Sequence, residues 1–234
     1  MSTGDAPEKL TYEDLNLPES LQPRNEAWAG ALLKYYYFCE ARPRHPLFSG
    51  CQWDAWDPSG TRASSQNTFT SDDLSSLSLL GVNLPGDAAV QILVKQKDRF
   101  DQLLSAIGDD LDLVDVDDVS ESGKKYGPVW ALWHELRKLH NVGATKTAKL
   151  IARKRPRLVP VYDSVLRETV FPSGKQWQPL HAALRQETPH RRLHDRLEDL
   201  RQDAGLGSEV SPLRVFDVLA WLEGSGKAKA VPRP

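Results

Sequence analysis

The sequence predicts an all-α protein, compact and built of many helices, and three observations carry that expectation. Apolar residues recur at spacings of three and four through almost every segment, which is the mark of a half-buried helix. Period-two alternation is confined to 111–116, and the short apolar run 158–162 is interrupted by Pro160, which disfavours a central strand. The composition is globular, 40% hydrophobic and 26% charged, so disordered, collagenous and membrane-spanning classes fit poorly. A chain of 234 residues can bury roughly 70% of its extended surface, enough for a core without staples.

The elements follow in order. Residues 1–24 are rich in Ser, Thr, Pro and acidic side chains and read as a flexible arm. They lack the basic start and apolar stretch of a secretory leader. A single domain is expected over 25–223, followed by a flexible basic tail, 224–234. Asn25 precedes a helix whose stripe reads Trp28, Ala31, Leu32, Tyr35 and Phe38. Tyr35, Tyr36 and Tyr37 in a row cannot all face inward, so one of them is exposed or lines a cleft. Residues 41–66 form a long Pro- and Gly-containing loop that carries Trp53 and Trp56, rings that either pack over the core or stack on a base. Thr70 and Asp73 make a capping box for a helix through Leu74, Leu77 and Leu80, stopped by Gly81. Further stripes are Ala88, Ala89, Ile92, Leu93, then Phe100, Leu103, Leu104, Ile107. The acidic stretch 109–118 reads as a loop with a short turn.

The second half is also helical. One helix is marked by Val129, Trp130, Leu132, Trp133, Leu136 and Leu139, and the next by Ala148, Leu150 and Ile151. Residues 164–170 follow, then Trp177, Leu180, Ala183, Leu184, then the charged helix of Leu193, Leu197 and Leu200. Its neighbours His190, Arg191, Arg192, His194 and Arg196 interleave with acids, as a surface ion-pair network does. Ser211 caps, with Pro212 in the first position, a last helix through Val215, Phe216, Leu219 and Leu222. The total is about nine helices.

Several function classes are disfavoured. Net charge is −2, so any anion binding must come from local charge. Cys39 and Cys51 cannot form a four-cysteine site, and no HExxH-like spacing is present, so neither metal nor cofactor is expected. No window is apolar enough to span a membrane. A cytoplasmic protein with free thiols is the expectation.

The chemistry concentrates in residues 136–167, which read helix, tight turn, helix, short connection, helix. The turn is Asn141-Val142-Gly143; Gly143 tolerates positive φ freely and Asn141 better than most residues. The second helix starts at Ala144-Thr145, and its first backbone N–H groups make an anion site, suited to phosphate. Lys138, His140, Lys146 and Lys149 lie near the turn. Arg153, Lys154, Arg155 and Arg157 follow at the far end, as a solvated helix end or as phosphate contacts.

This segment resembles the helix-hairpin-helix of base-excision DNA glycosylases. Asn141-Val142-Gly143 stands where that family has Gly–Val–Gly, and Val161-Tyr162-Asp163-Ser164-Val165 where it has a Val–Asp–Thr–His–Val-like segment. The resemblance implies a helix-hairpin-helix over about 129–170 and puts Asp163 at the catalytic Asp without a gap. Thr145 then occupies the position of the lyase lysine, and Lys146 is one residue off. The first hairpin glycine and the iron–sulfur cysteines are absent. The whole chain, from about Glu26 to Glu223, also resembles a family of uncharacterised actinobacterial-type proteins. Phe69-Thr70-Ser71-Asp72-Asp73-Leu74, Lys149-Leu150-Ile151-Ala152-Arg153-Lys154-Arg155-Pro156 and Val159-Pro160-Val161-Tyr162-Asp163-Ser164 carry that likeness. It implies no activity.

The expected function is backbone binding of duplex DNA without strong sequence preference, through Asn141, Gly143, Thr145, Lys146, Lys149 and Arg153. Two alternatives stay open. One is a monofunctional glycosylase-like enzyme using Asp163, which as a plain structural residue would only cap the helix that starts at Ser164. The other is a non-catalytic interaction scaffold.

Overall fold

The computed structural model describes residues 10–42 and 45–233. Ten α-helices dominate it: α1 (Glu26–Phe38), α2 (Ser71–Ser76), α3 (Gly86–Val90), α4 (Lys97–Ile107), α5 (Gly127–Arg137), α6 (Ala144–Lys154), α7 (Ser164–Thr169), α8 (Trp177–Arg185), α9 (Leu193–Asp203) and α10 (Pro212–Gly224). The only sheet among the described residues is the antiparallel pair β1 (Glu40–Arg42) and β2 (His45–Pro46). The chain is therefore all-α, as its apolar periodicity predicts.

The expected helix starts are built as capping chemistry requires. Thr70 and Asp73 close a reciprocal capping box at α2. Ser211 accepts from Arg214 N at α10, with Pro212 in the first turn. Gly81 ends the turn after α2 at φ 73°, a backbone geometry that costs glycine nothing. Between α3 and α4 the chain widens into a π-turn, Gln91–Lys95. The alternating run 111–116 becomes a 3-10 turn, Leu113–Asp115. Its two faces are not separated, because Leu113, Val114 and Val116 are all buried.

α10 is the central element. It packs on α1, α7 and α9, and almost every residue from Pro212 to Leu222 is buried, as for a helix enclosed on all sides. α5 packs on α4 and α6, and α6 on α2. On α1 the inward stripe is Trp28, Ala29, Leu32, Leu33 and Tyr36, while Phe38 is exposed. The face is thus rotated from the expected one, so that Tyr36 of the three tyrosines is the buried one.

Both expected flexible ends are packed wherever they are described. Residues 1–9 and Pro234 lie outside the described residues. From Leu10 onward the arm is tied down: Leu15 and Leu21 are buried, and the backbone N–H groups of Glu19 and Ser20 donate to the Glu223 carboxylate at 2.9 Å each. At the other end Ala228 is buried, and Trp28 Nε1 donates to Val231 O at 3.1 Å. These contacts join residues far apart in the chain, which local composition cannot reveal.

The run Arg153-Lys154-Arg155 is neither a solvated helix end nor free for phosphate. All three side chains are buried and hold the loop between α1 and α2, with Arg155 also reaching α4. Arg153 donates to Trp53 O at 2.7 Å and to Trp56 O. Lys154 donates to Ser65 O at 2.9 Å, and Arg155 to Gln66 O and Leu104 O at 2.9 Å each. Loop carbonyls buried away from water need donors, and these cations supply them. The His190–Arg196 segment carries ion pairs instead, among them Arg191–Asp199, Arg192–Asp195 and Arg196–Glu26.

Candidate active site

Asp163 ends the short extended connection after α6 and caps α7, accepting from Leu166 N at 3.1 Å through Oδ1. Its side chain is only partly buried. It lines a cavity of about 360 Å³ that also includes Lys149, Arg214, Asp217 and Tyr36. Three elements meet there: α6 supplies Lys149, α10 supplies Arg214 and Asp217, and α1 supplies Tyr36. The outer wall is apolar and aromatic, with Phe48, Leu79, Leu80 and Trp221. Phe48 stacks on Tyr36 with ring centroids 5.1 Å apart, and meets Trp221 edge-on at 5.8 Å. Gly50 completes the wall because a β-carbon there would collide with the Tyr36 hydroxyl.

The floor is a satisfied polar network. Arg214 donates to Tyr36 Oη at 2.9 Å, to Gly50 O at 3.0 Å, and to the carboxylates of Asp54 and Asp217. Tyr37 donates its hydroxyl to Asp54 at 3.0 Å. Burial pushes the Asp217 carboxyl up to about 6, against the pull of Arg214. Burial also pushes the Tyr36 hydroxyl up to about 12. Lys149 donates to Leu80 O at 2.8 Å. Burial lowers its ammonium pKa, and the charges of Asp163 and Asp217 oppose that shift. The cavity thus brings an amine and two carboxylates against an aromatic wall, with Asp163 the most accessible of the three.

Of the expected site residues, Asp163 and Lys149 come together. Asn141, Gly143, Thr145 and Lys146 surround the start of α6 instead. Asn141 and Gly143 are exposed, and Thr145 and Lys146 partly so. The left-handed residue of the turn is Asn141 at φ 55°, while Gly143 is extended at φ −81° and precedes α6. Lys146 donates to Asn141 O at 2.8 Å. Two of the expected phosphate contacts are corrected by burial. Lys149 faces the cavity, and Arg153 is bonded to Asp73, Trp53 and Trp56. Both side chains are buried.

Arg214 and Asp217 were not among the expected residues. Their signal was present: two charges three residues apart in an otherwise apolar helix must face each other inside the protein. Phe48 and Trp221 carried no such mark. Among the described residues, no group of three or more His, Cys, Asp or Glu side chains could hold a metal ion. No helix there is long and apolar enough to cross a membrane.

Comparison with curated proteins and with solved structures returns no match. A family model described as a family of unknown function (DUF6308) matches residues 29–224, a span that contains the whole cavity, and the chain belongs to that family.

Proposed function

We propose that the chain binds DNA at the α5–α6 turn and acts in the manner of a glycosylase on a nucleotide drawn into the Asp163 cavity. In this reading α5, the turn and α6 are a helix-hairpin-helix. The free N–H groups at the start of α6, with Lys146, hold the sugar–phosphate backbone. The observation that carries the reading is the position of Asp163: a partly exposed carboxylate in an aromatic-walled cavity, shared with Lys149 of the helix that begins at the turn. Thr145 lies one helical turn before Lys149 on the same side of α6, so turn and cavity are joined by a single helix face.

The chemistry is hydrolysis of an N-glycosidic bond. The C1′–N bond breaks, its electron pair leaves with the base, and water adds to C1′. The water loses one proton and the departing base takes one up. A carboxylate beside the sugar lowers the barrier by stabilising the positive charge that develops there. A base must leave the duplex stack to reach such a cavity, and Phe48 and Trp221 offer it aromatic faces.

The test is base release from duplexes carrying a panel of modified bases. Wild type is expected to release at least one of them, and Asp163→Asn to lose that turnover while still binding duplex DNA. Absence of release across the panel, with salt-dependent binding kept, leaves a DNA-binding protein without this chemistry. Absence of both sinks the reading.

A further inference from the structure

A second recess lies on the other side of the 161–163 segment. Val161 and Asp163 line the cavity described above, while Tyr162 between them lines a groove of about 280 Å³. The other walls of this groove are Trp130 and Trp133 of α5, Trp177 at the start of α8, and the 174–176 turn. The three indoles form a corner. Trp177 lies 4.3 Å from Trp130 at 71° and 5.2 Å from Trp133 at 78°, measured between ring centroids. Steeply angled faces of this kind take a flat ring against one face with its edge toward another.

Polar groups narrow the choice of ligand. Gln176 and Trp177 are more than nine-tenths buried, yet Gln176 Oε1 and Trp177 Nε1 have no hydrogen-bond partner. Buried polar atoms are rarely left unpaired, and the chain supplies neither of these with a partner. Together they are one unpaired acceptor and one unpaired donor on adjacent residues. No acidic side chain lines the groove, and two cations do, Arg167 and Lys175. Arg167 has only an exposed pairing with Glu168 at 3.2 Å, a contact worth little in water. Lys175 has no ion pair among the described residues. A cationic ligand is therefore disfavoured, and an aromatic ring carrying a negative charge is favoured.

We propose that this groove is a nucleotide-binding site, separate from the Asp163 cavity, in which an unpaired base packs against Trp130 and Trp133, over the buried Trp177, while its phosphate meets Arg167 and Lys175. The site stands whether or not Asp163 performs chemistry.

Calorimetric titration of the full chain tests it, using the four deoxynucleoside 5′-monophosphates, deoxyribose 5-phosphate, inorganic phosphate, a single-stranded oligothymidylate and a duplex. Binding of mononucleotides or of the single strand, at least tenfold tighter than of the two probes without a base, is expected. Single strand over mononucleotide would identify the natural source as a strand, and the reverse a free nucleotide. Arg167→Glu with Lys175→Glu should weaken binding at least tenfold, and Trp133→Ala should do the same. Arg167 and Lys175 line the groove and not the cavity, so loss of binding on their reversal separates this site from the cavity. The paired charge reversal lies on exposed residues, so it decides the matter even if Trp133→Ala fails to fold. Equal binding of inorganic phosphate, binding unaffected by the charge reversal, or no binding of any base-containing probe overturns the proposal.

Discussion

Arg153 and Asp73 form a buried ion pair, with Arg153 Nε 3.2 Å from Asp73 Oδ1, that ties α6 to the first turn of α2. Both side chains are at least 97% enclosed, at 1% and 3% exposure. Asp73 also accepts from Thr70 N at 2.8 Å to close the capping box, and pairs with Lys154. One carboxylate thus serves a helix start and two cations. The remaining donors of those cations reach the carbonyls of the long loop, so the loop that frames the cavity is held from beneath by α6.

Arg153→Ala should be among the most damaging single changes. It leaves the Trp53 and Trp56 carbonyls without this donor and removes a buried cation beside Asp73, a loss of about 3–5 kcal/mol. Arg153→Lys should recover little of it, because one ammonium cannot reproduce a planar fork serving three partners. Urea denaturation measures both. A loss below about 1 kcal/mol for Arg153→Ala would contradict the clamp.

Asp163 separates capping from catalysis. Asn caps helices about as well as Asp, so Asp163→Asn should leave stability nearly unchanged. Asp163→Ala removes the acceptor for Leu166 N and should cost about 1 kcal/mol. Base release should vanish in both variants. Full activity in the stably folded Asn variant would assign Asp163 to the cap alone.

Much of the fold was legible in local pattern, and the site less so. The caps at Thr70, Asp163 and Ser211 and the stop at Gly81 depend on neighbours within a few residues, and sequence carries them directly. The burial of Lys149 and Arg153 does not, because their partners Leu80, Trp53 and Asp73 lie far away in the chain. A basic run at a helix end reads the same whether water or a loop covers it. The arm shows the same limit, since the N–H groups of Glu19 and Ser20 are held by Glu223 at the opposite end of the chain. The cavity itself needs α1, α6 and α10 to converge, and no periodicity encodes that convergence.

Asp110 should make stability depend on pH. Its carboxyl accepts from Arg157 N and Leu158 N, yet burial outweighs those bonds and pushes it up to about 6. A carboxyl that holds its proton more tightly when folded stabilises the fold fully below its unfolded pKa, about 4, and that contribution is lost as pH rises through about 6. Stability should therefore fall by about 1–3 kcal/mol across that window from this group. Asp217 adds a contribution of the same sign. Asp110→Asn should flatten its own share of the slope, read from urea midpoints at about pH 4, 5, 6 and 7. A variant slope equal to that of wild type would remove Asp110 as the cause.

Lys146 and Lys149 lie three residues apart on α6, and DNA binding should tell them apart. Lys146 is partly exposed at the turn, bonded only to the Asn141 carbonyl, so its charge can be shared with a phosphate. Lys149 is buried and bonded to Leu80 O, and it lines the cavity. Lys146→Glu should therefore weaken duplex binding and lower the slope of log affinity against log salt by about 0.9 for the lost contact. Lys149→Met keeps the length of the side chain and removes the charge. It should leave that slope unchanged while costing about 1–3 kcal/mol of stability for the orphaned Leu80 carbonyl. Salt titrations of binding, run beside urea denaturation, read both quantities. If Lys149→Met lowers the salt slope as much as Lys146→Glu does, the duplex reaches into the cavity and the turn is not the primary phosphate contact. If neither variant changes the slope, the backbone is bound elsewhere, and the hairpin assignment of the α5–α6 turn falls.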